Sequence, residues 1–127
     1  MDPAEFLDGG AVSVSDETYA VCRTDRGHPD AFATVRADGE TTVVVEEGDV
    51  DAVDAAAVEP GWRRLTFEMD LPFELVGFLA AVATGLAEVD VSVFVVSSFA
   101  TDHVFVGDDD LPAAVRRLEA LGCEIVD

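Results

Sequence analysis

Residues 62–126 predict an α+β fold in which two helices pack on one face of a four-stranded antiparallel sheet. Three observations predict it. Two segments carry apolar residues at helical spacing, Leu75, Phe78, Leu79, Val82 and Leu86 in the first and Leu111, Ala114, Val115, Leu118 and Leu121 in the second. Short runs rich in β-branched and aromatic residues alternate with them. The tripeptide Asp-Leu-Pro opens both helical segments, at 70–72 and 110–112. Aspartate there offers an N-cap, and proline in a first turn lacks only an N–H that the helix would not use.

Trp62 to Glu68 reads as the first strand of this unit, and the helix that follows should run to about Val89 or Asp90. Val91 to Phe99 and His103 to Val106 are close enough in sequence to pair as a hairpin. The second helix should end at Gly122, and Cys123 to Val126 makes a short closing strand. The order is β-α-β-β-α-β, the split βαβ arrangement.

The first half is less regular. Tyr19 to Arg23 reads as a strand, and Gly27 to Asp30 as a loop. Residues 32–36 and 41–46 read as a hairpin turning over Ala37-Asp38-Gly39-Glu40, because Asp-Gly supplies the positive φ angles of a tight turn. Residues 49–57 suggest a short helix, weakened by valines and aspartates. Glu59-Pro60-Gly61 punctuates the chain. The expected organisation is a reduced module over 12–60, lacking a long first helix, followed by the complete module over 61–127.

The chain has 27 acidic residues against seven basic ones, a formal net charge of −20 over 127 residues. All seven bases are arginine; lysine, asparagine and glutamine do not occur. Half the residues are hydrophobic, enough for a packed core. Self-repulsion of such a surface opposes compaction at low salt, and in molar salt the Debye length falls to about 3 Å and removes most of it. The acids are spread along the whole chain, which points to the cytoplasm of a salt-accumulating host rather than to one basic partner. Nucleic acid is excluded as a partner, since its binding needs clustered Lys and Arg.

The opening Met-Asp-Pro-Ala-Glu is acidic where a secretory leader would be basic. The most apolar stretch, 75–100, is broken by Glu88, Asp90 and two serines, so no membrane span is expected. Cys22 and Cys123 lie far apart without metal or redox spacing and read as buried thiols. His28 and His103 show no metal-ligand spacing, and Asp108-Asp109-Asp110 lacks the glycine and terminal Glu of a calcium loop. No metal and no cofactor are expected. Catalytic signatures are missing too: no G-x-S-x-G elbow, phosphate loop or H-E-x-x-H occurs. Trp62 and Arg63 are placed to fix the junction of the modules, and Arg116 and Arg117 to relieve acid crowding on the second helix.

The stretch with chemical interest is Ser97-Ser98-Phe99-Ala100-Thr101-Asp102-His103 between the two hairpin strands. Together with Glu59-Pro60-Gly61-Trp62-Arg63, Leu71-Pro72-Phe73, Gly77-Phe78-Leu79-Ala80 and Val93-Phe94-Val95-Val96, it resembles a small family of ACT-domain proteins. These are similar to the regulatory domains of aspartate kinases and to tandem-ACT cytosolic amino-acid sensors. The resemblance covers about residues 18–124 and is strongest over 59–111. It implies a ferredoxin-like ACT module preceded by a reduced ACT-like one. It also implies a non-catalytic regulatory protein that binds a small molecule, usually an amino acid, and pairs edge to edge as a homodimer.

In that family pattern the end of the second strand faces the entrance to the first helix across the site. Carried onto this chain, the ligand-binding candidates are Ser97, Ser98, Phe99, Thr101 and Asp102 on one side and Glu74, Leu75 and Gly77 on the other. Their chemistry suits the task. A helix N-terminus attracts a carboxylate, Asp102 an ammonium, the hydroxyls polar groups, and Phe99 supplies an apolar wall. Gly77 either lets the backbone approach a ligand or lets the helix pack closely. The chain departs from the pattern at Ser98, often threonine, and at Ala100, usually larger. The bland alternative is a hairpin turn whose Ser, Thr and Asp satisfy local backbone groups, in a structural interaction module with a decayed site.

Overall fold

A computed structural model describes residues 2–126, which form two compact units, one of residues 2–15 with 63–126 and the other of residues 16–62. The larger unit begins with helix α1 (Pro3–Leu7), capped by the Asp2 carboxylate on the Ala4 N–H at 3.0 Å. Strand β1 (Ala11–Val14) follows. The unit also holds the second half of β5 (Ala55–Phe67), helix α2 (Phe78–Ala87), strands β6 (Val93–Ser97) and β7 (Asp102–Gly107), helix α3 (Leu111–Ala120) and strand β8 (Glu124–Val126).

The βαββαβ order expected from residue 62 is present, but its sheet has a fifth strand. The spatial order is β6–β7–β5–β1–β8. Strand β1 lies between β5 and β8, antiparallel to β5 with Val12 opposite Phe67, and parallel to β8 with Val12 opposite Ile125. The closing strand therefore pairs with β1 rather than with the first strand of the repeat, and the sheet is mixed. Residues 2–15 pack with the C-terminal unit, so the first module does not begin at residue 12. The cause is burial: Val12 alternates inward and is wholly buried, alongside Leu65 and Phe67 from β5.

One core joins the helices to the sheet. Phe78, Val82 and Leu86 from α2 and Ala114 and Leu118 from α3 pack with Leu7, Val12, Leu65, Phe67, Val104 and Val106. Phe78 meets Phe67 edge to face at 5.0 Å. Phe94 and Phe105, one residue out of phase with the core positions, stack across the hairpin at 4.4 Å. Arg117 ties the helices together, donating to the Gly85 carbonyl at 3.1 Å and to Glu88 at 2.5 Å. Arg63 donates twice to the Ser15 carbonyl and once to Asp108 at 3.0 Å.

The second expected helix forms as predicted, with Leu111-Pro112 in its first turn and Gly122 just past its end at φ +105°. The first does not start at Asp70-Leu71-Pro72. Residues 70–77 remain a loop, and α2 starts at Phe78 with Gly77 as its N-cap at φ +88°. The loop's polar backbone finds other partners: the Leu71 N–H donates to the Ala100 carbonyl at 2.7 Å, and the Leu75 N–H to Pro72 at 3.0 Å.

The smaller unit is built from β2 (Tyr19–Thr24), β3 (Ala33–Ala37), β4 (Glu40–Glu46) and the first half of β5, in the order β3–β4–β2–β5 with all pairs antiparallel. The hairpin turn falls on Asp38-Gly39, at φ +52° and +78°, the two positive angles that a type I′ turn requires. The expected helix at 49–57 is instead a 3₁₀ segment, Glu47–Ala52, because β5 captures the chain from Ala55 onward. Pro60 and Gly61 lie inside β5, not at its edge, where the pairing register with β2 shifts between Tyr19–Trp62 and Val21–Glu59. That bulge accommodates a proline within a paired strand. Cys22, Ala20, Val43 and Val45 form a small core under Val50 and Val53.

Candidate functional site

The polar turn between β6 and β7 consists of Ser98, Phe99, Ala100 and Thr101, closed by the Ser97–Asp102 pair. Its polar groups are internally occupied to a large extent. The Ser98 N–H and hydroxyl both donate to the Thr101 carbonyl, at 2.8 and 3.0 Å. The Ser97 hydroxyl donates to the Asp102 carboxylate at 2.6 Å, and the Thr101 hydroxyl to the Phe67 carbonyl at 2.8 Å. The turn is thereby bolted to the end of β5.

His103 sits behind the turn. Its Nδ1 lies 2.9 Å from the Thr66 hydroxyl and its Nε2 3.2 Å from the Ser98 hydroxyl. Since the Ser98 proton is committed to Thr101, the consistent arrangement is a neutral imidazole that donates from Nε2 to Ser98 and accepts at Nδ1 from Thr66. Burial holds the His103 pKa below its ordinary value, helped by the nearby Arg64 and opposed by Asp102 and Glu68. The histidine is thus a structural neighbour of the site.

Seven of the eight candidates line one groove of about 220 Å³: Leu75 and Gly77 from the loop before α2, and Ser97, Ser98, Phe99, Thr101 and Asp102 from the turn. Glu74, the eighth, lines an adjoining outer groove of about 590 Å³ with Asp70, Phe73 and Phe99. The left-handed φ of Gly77, with no atom nearer than 3.7 Å to where a Cβ would stand, replaces the reading of this glycine as a close-packing residue. Its backbone conformation calls for glycine, and close helix packing does not.

The hydroxyls have spent their protons within the fold, so the turn side of the groove offers acceptors: hydroxyl lone pairs and the Asp102 carboxylate. Donors on the opposite side would come from backbone near the start of α2, where first-turn N–H groups have no intrahelical partner. No arginine or histidine lines either groove. Five residues not singled out as candidates complete the inner groove's apolar wall: Leu71, Pro72, Phe73, Phe78 and Leu79.

Among the described residues no group of three or more His, Cys, Asp or Glu is placed to hold a metal ion, and no helix is long and apolar enough to cross a membrane. Asp108 is engaged with Arg63. Burial raises the pKa of both Cys22 and Cys123, keeping each a thiol.

Residues 57–120 match the family model described as ACT domain. Curated proteins gave no match. Among solved structures, a protein of Agrobacterium tumefaciens is 23% identical with a TM-score of 0.76, covering 93% of this chain and 92% of its own. A protein of unknown function from Vibrio cholerae, described as a possible transport protein, is 25% identical with a TM-score of 0.72, covering 94% of each chain. The ligand-free regulatory subunit of aspartate kinase from Thermus thermophilus shares the fold at 10% identity and a TM-score of 0.64, covering 91% of this chain and 98% of its own. The family match runs from within β5 through α3, taking in the elements that build both sides of the groove. The chain belongs to the ACT domain family.

Proposed function

We propose that this protein is a non-catalytic regulatory sensor that binds an amino acid in the groove between the β6–β7 turn and the loop leading into α2. The observation that carries the reading is the convergence of Leu75, Gly77, Ser97, Ser98, Phe99, Thr101 and Asp102 on one groove. Asp102 pairs the ligand's ammonium, the start of α2 seats its carboxylate, and the apolar wall holds its side chain. Glu74 acts from the rim.

The sensor works as a homodimer in the cytoplasm of a salt-accumulating cell. Two features support this. Among the described residues β6 pairs only with β7, leaving one edge of its ladder open, and residues 91–101 carry no charge in a chain of net −20. Natural edges are usually guarded by charge, and an unguarded one invites a second strand. Ligand binding then signals by favouring one arrangement of the assembly, in proportion to its differential affinity.

A second reading has its own support. Because Ser98 and Thr101 already satisfy the turn, the segment serves equally as a rigid hairpin in a structural pairing module. Thermal unfolding in molar KCl with each of the twenty amino acids separates the two. A ligand at 100 times its Kd adds about 2.7 kcal/mol, several degrees for a chain of this size. Sensing requires such a shift with at least one amino acid and its loss in Asp102→Ala; a flat screen supports the structural module.

A further inference from the structure

Two of the chain's eight phenylalanines stand in solvent, and they stand together. Phe73 is 76% exposed and Phe99 84%, whereas the other six are buried or half-buried. Their rings meet edge to face, with centroids 5.1 Å apart and planes at 85°, so they form a corner and not a stack. The segments that carry them are tied to each other by the Leu71 N–H on the Ala100 carbonyl at 2.7 Å. Single exposed apolar side chains are ordinary, but two in contact on a chain of net charge −20 mark a contact surface. Both rings line the outer groove of about 590 Å³, beside Leu71, Pro72 and Ala100, with Asp70 and Glu74 as its charged groups.

We infer that this outer groove is a subsite for an N-methylated ammonium group, an organic cation without N–H donors. The lining sets the sign of the charge. It holds two carboxylates and no base, and among the described residues the arginine ion pairs lie elsewhere, at Arg26–Asp25, Arg63–Asp108 and Arg117–Glu88. The aromatic corner supplies the attraction, because the face of a phenylalanine ring draws a cation through its quadrupole, and quaternary ammonium groups are recognised in this way.

The wall also selects among cations. It has no hydroxyl or amide side chain, and two of its carbonyls already hold a backbone N–H, Ala100 from Leu71 and Pro72 from Leu75. A cation with N–H groups resting on it gives up hydrogen bonds to water, whereas a methylated one has none to lose and lays its methyls on the apolar surface. Asp70 and Glu74 are exposed and do not make this distinction themselves. In molar KCl their field is screened within about 3 Å and potassium competes for them, but potassium has no apolar surface to set against the rings. The subsite is separate from the amino-acid reading of the inner groove and stands whether or not an amino acid binds there.

The test is titration followed by NMR, in molar KCl, with tetramethylammonium, ammonium, N,N,N-trimethyllysine, lysine and arginine. Tetramethylammonium should move the ring signals of Phe73 and Phe99 and ammonium should not. Trimethyllysine should bind about tenfold more tightly than lysine or arginine. Phe73→Leu and Phe99→Leu keep the apolar bulk and remove the aromatic face; each should weaken the methylated ligands about threefold, and the double variant about tenfold. Both side chains are exposed, so the variants should fold, which thermal melts check; the comparison of ligands on the native protein decides the matter without them. The subsite is overturned if lysine or arginine binds as tightly as trimethyllysine, or if a folded double variant keeps its full affinity for the methylated ligands. Shifts at Ser98 and Gly77 with lysine or arginine, and none at the rings with tetramethylammonium, would overturn the subsite and leave the amino-acid site standing. The opposite pattern would support the subsite and count against the amino-acid site. Silence with every ligand overturns the subsite too.

Discussion

Replacing Thr101 by valine separates a structural hydroxyl from a ligand contact. Valine keeps the β-branch and the shape of the groove wall but removes the O–H that donates to the Phe67 carbonyl at 2.8 Å. That bond is partly buried and joins the turn to the end of β5. A bond of this kind contributes about 0.5–1.5 kcal/mol, so the expected loss is about 1 kcal/mol. For a chain of 127 residues this lowers Tm by about 3–6 °C. Circular dichroism melts in molar KCl without ligand measure it, with Thr101→Ser, which keeps the hydroxyl, expected to recover most of the loss. A Thr101→Val melt within about 1 °C of the native protein would refute the structural role. Loss of ligand binding without loss of stability would instead make the hydroxyl a ligand contact.

Other outcomes follow from single features. Gly77→Ala should cost about 1–2 kcal/mol in urea unfolding, from the left-handed φ of +88° and not from crowding; an unchanged midpoint would mean the loop relaxes freely. The lowered His103 pKa means that, as pH falls, the unfolded chain takes up its proton before the folded one. Its stabilising contribution is complete above the unfolded value of about 6.5 and declines below it, toward the depressed folded value. The native protein should therefore lose stability relative to His103→Gln between about pH 7 and 5, and a constant difference between the two would refute this. At net −20, Tm should rise steeply as KCl goes from about 0.1 to 1 M and the Debye length shrinks from about 10 to 3 Å; a flat profile would show that self-repulsion does not limit stability.

Local chemistry alone sufficed where a segment's structure is set by its own residues. Asp38-Gly39 turned the β3–β4 hairpin because only that dipeptide chemistry meets two positive φ angles cheaply. Leu111-Pro112 and Gly122 bounded α3 in the same way, and the spacing of Phe78, Val82 and Leu86 identified the buried face of α2. The candidate turn was recognisable from Ser97 to Asp102, since adjacent serines before a phenylalanine are uncommon in a simple hairpin loop. Asp70-Leu71-Pro72 carried the same start signal as Asp110-Leu111-Pro112 but formed a loop, because a backbone bond from Leu71 to Ala100, 29 residues further along the chain, claimed it instead.

Tertiary structure decided what depends on distant partners. Four residues, Ala11–Val14, show no more strand character than many exposed segments, and only the joint burial of Val12 with Leu65 and Phe67 places them between β5 and β8. The Pro60-Gly61 punctuation became a bulge because β2 pairs on both sides of it. The pairing of Phe73 with Phe99 is likewise invisible to any local pattern, since their contact depends on how a loop and a turn converge. The sequence by itself determined the charge, the helices, the tight turns and the residues that could bind; the fold decided which hydroxyls were already spent and which two rings meet along the groove. Propensity acts over a few residues, whereas hydrogen-bond satisfaction and burial are settled only once the whole chain is packed.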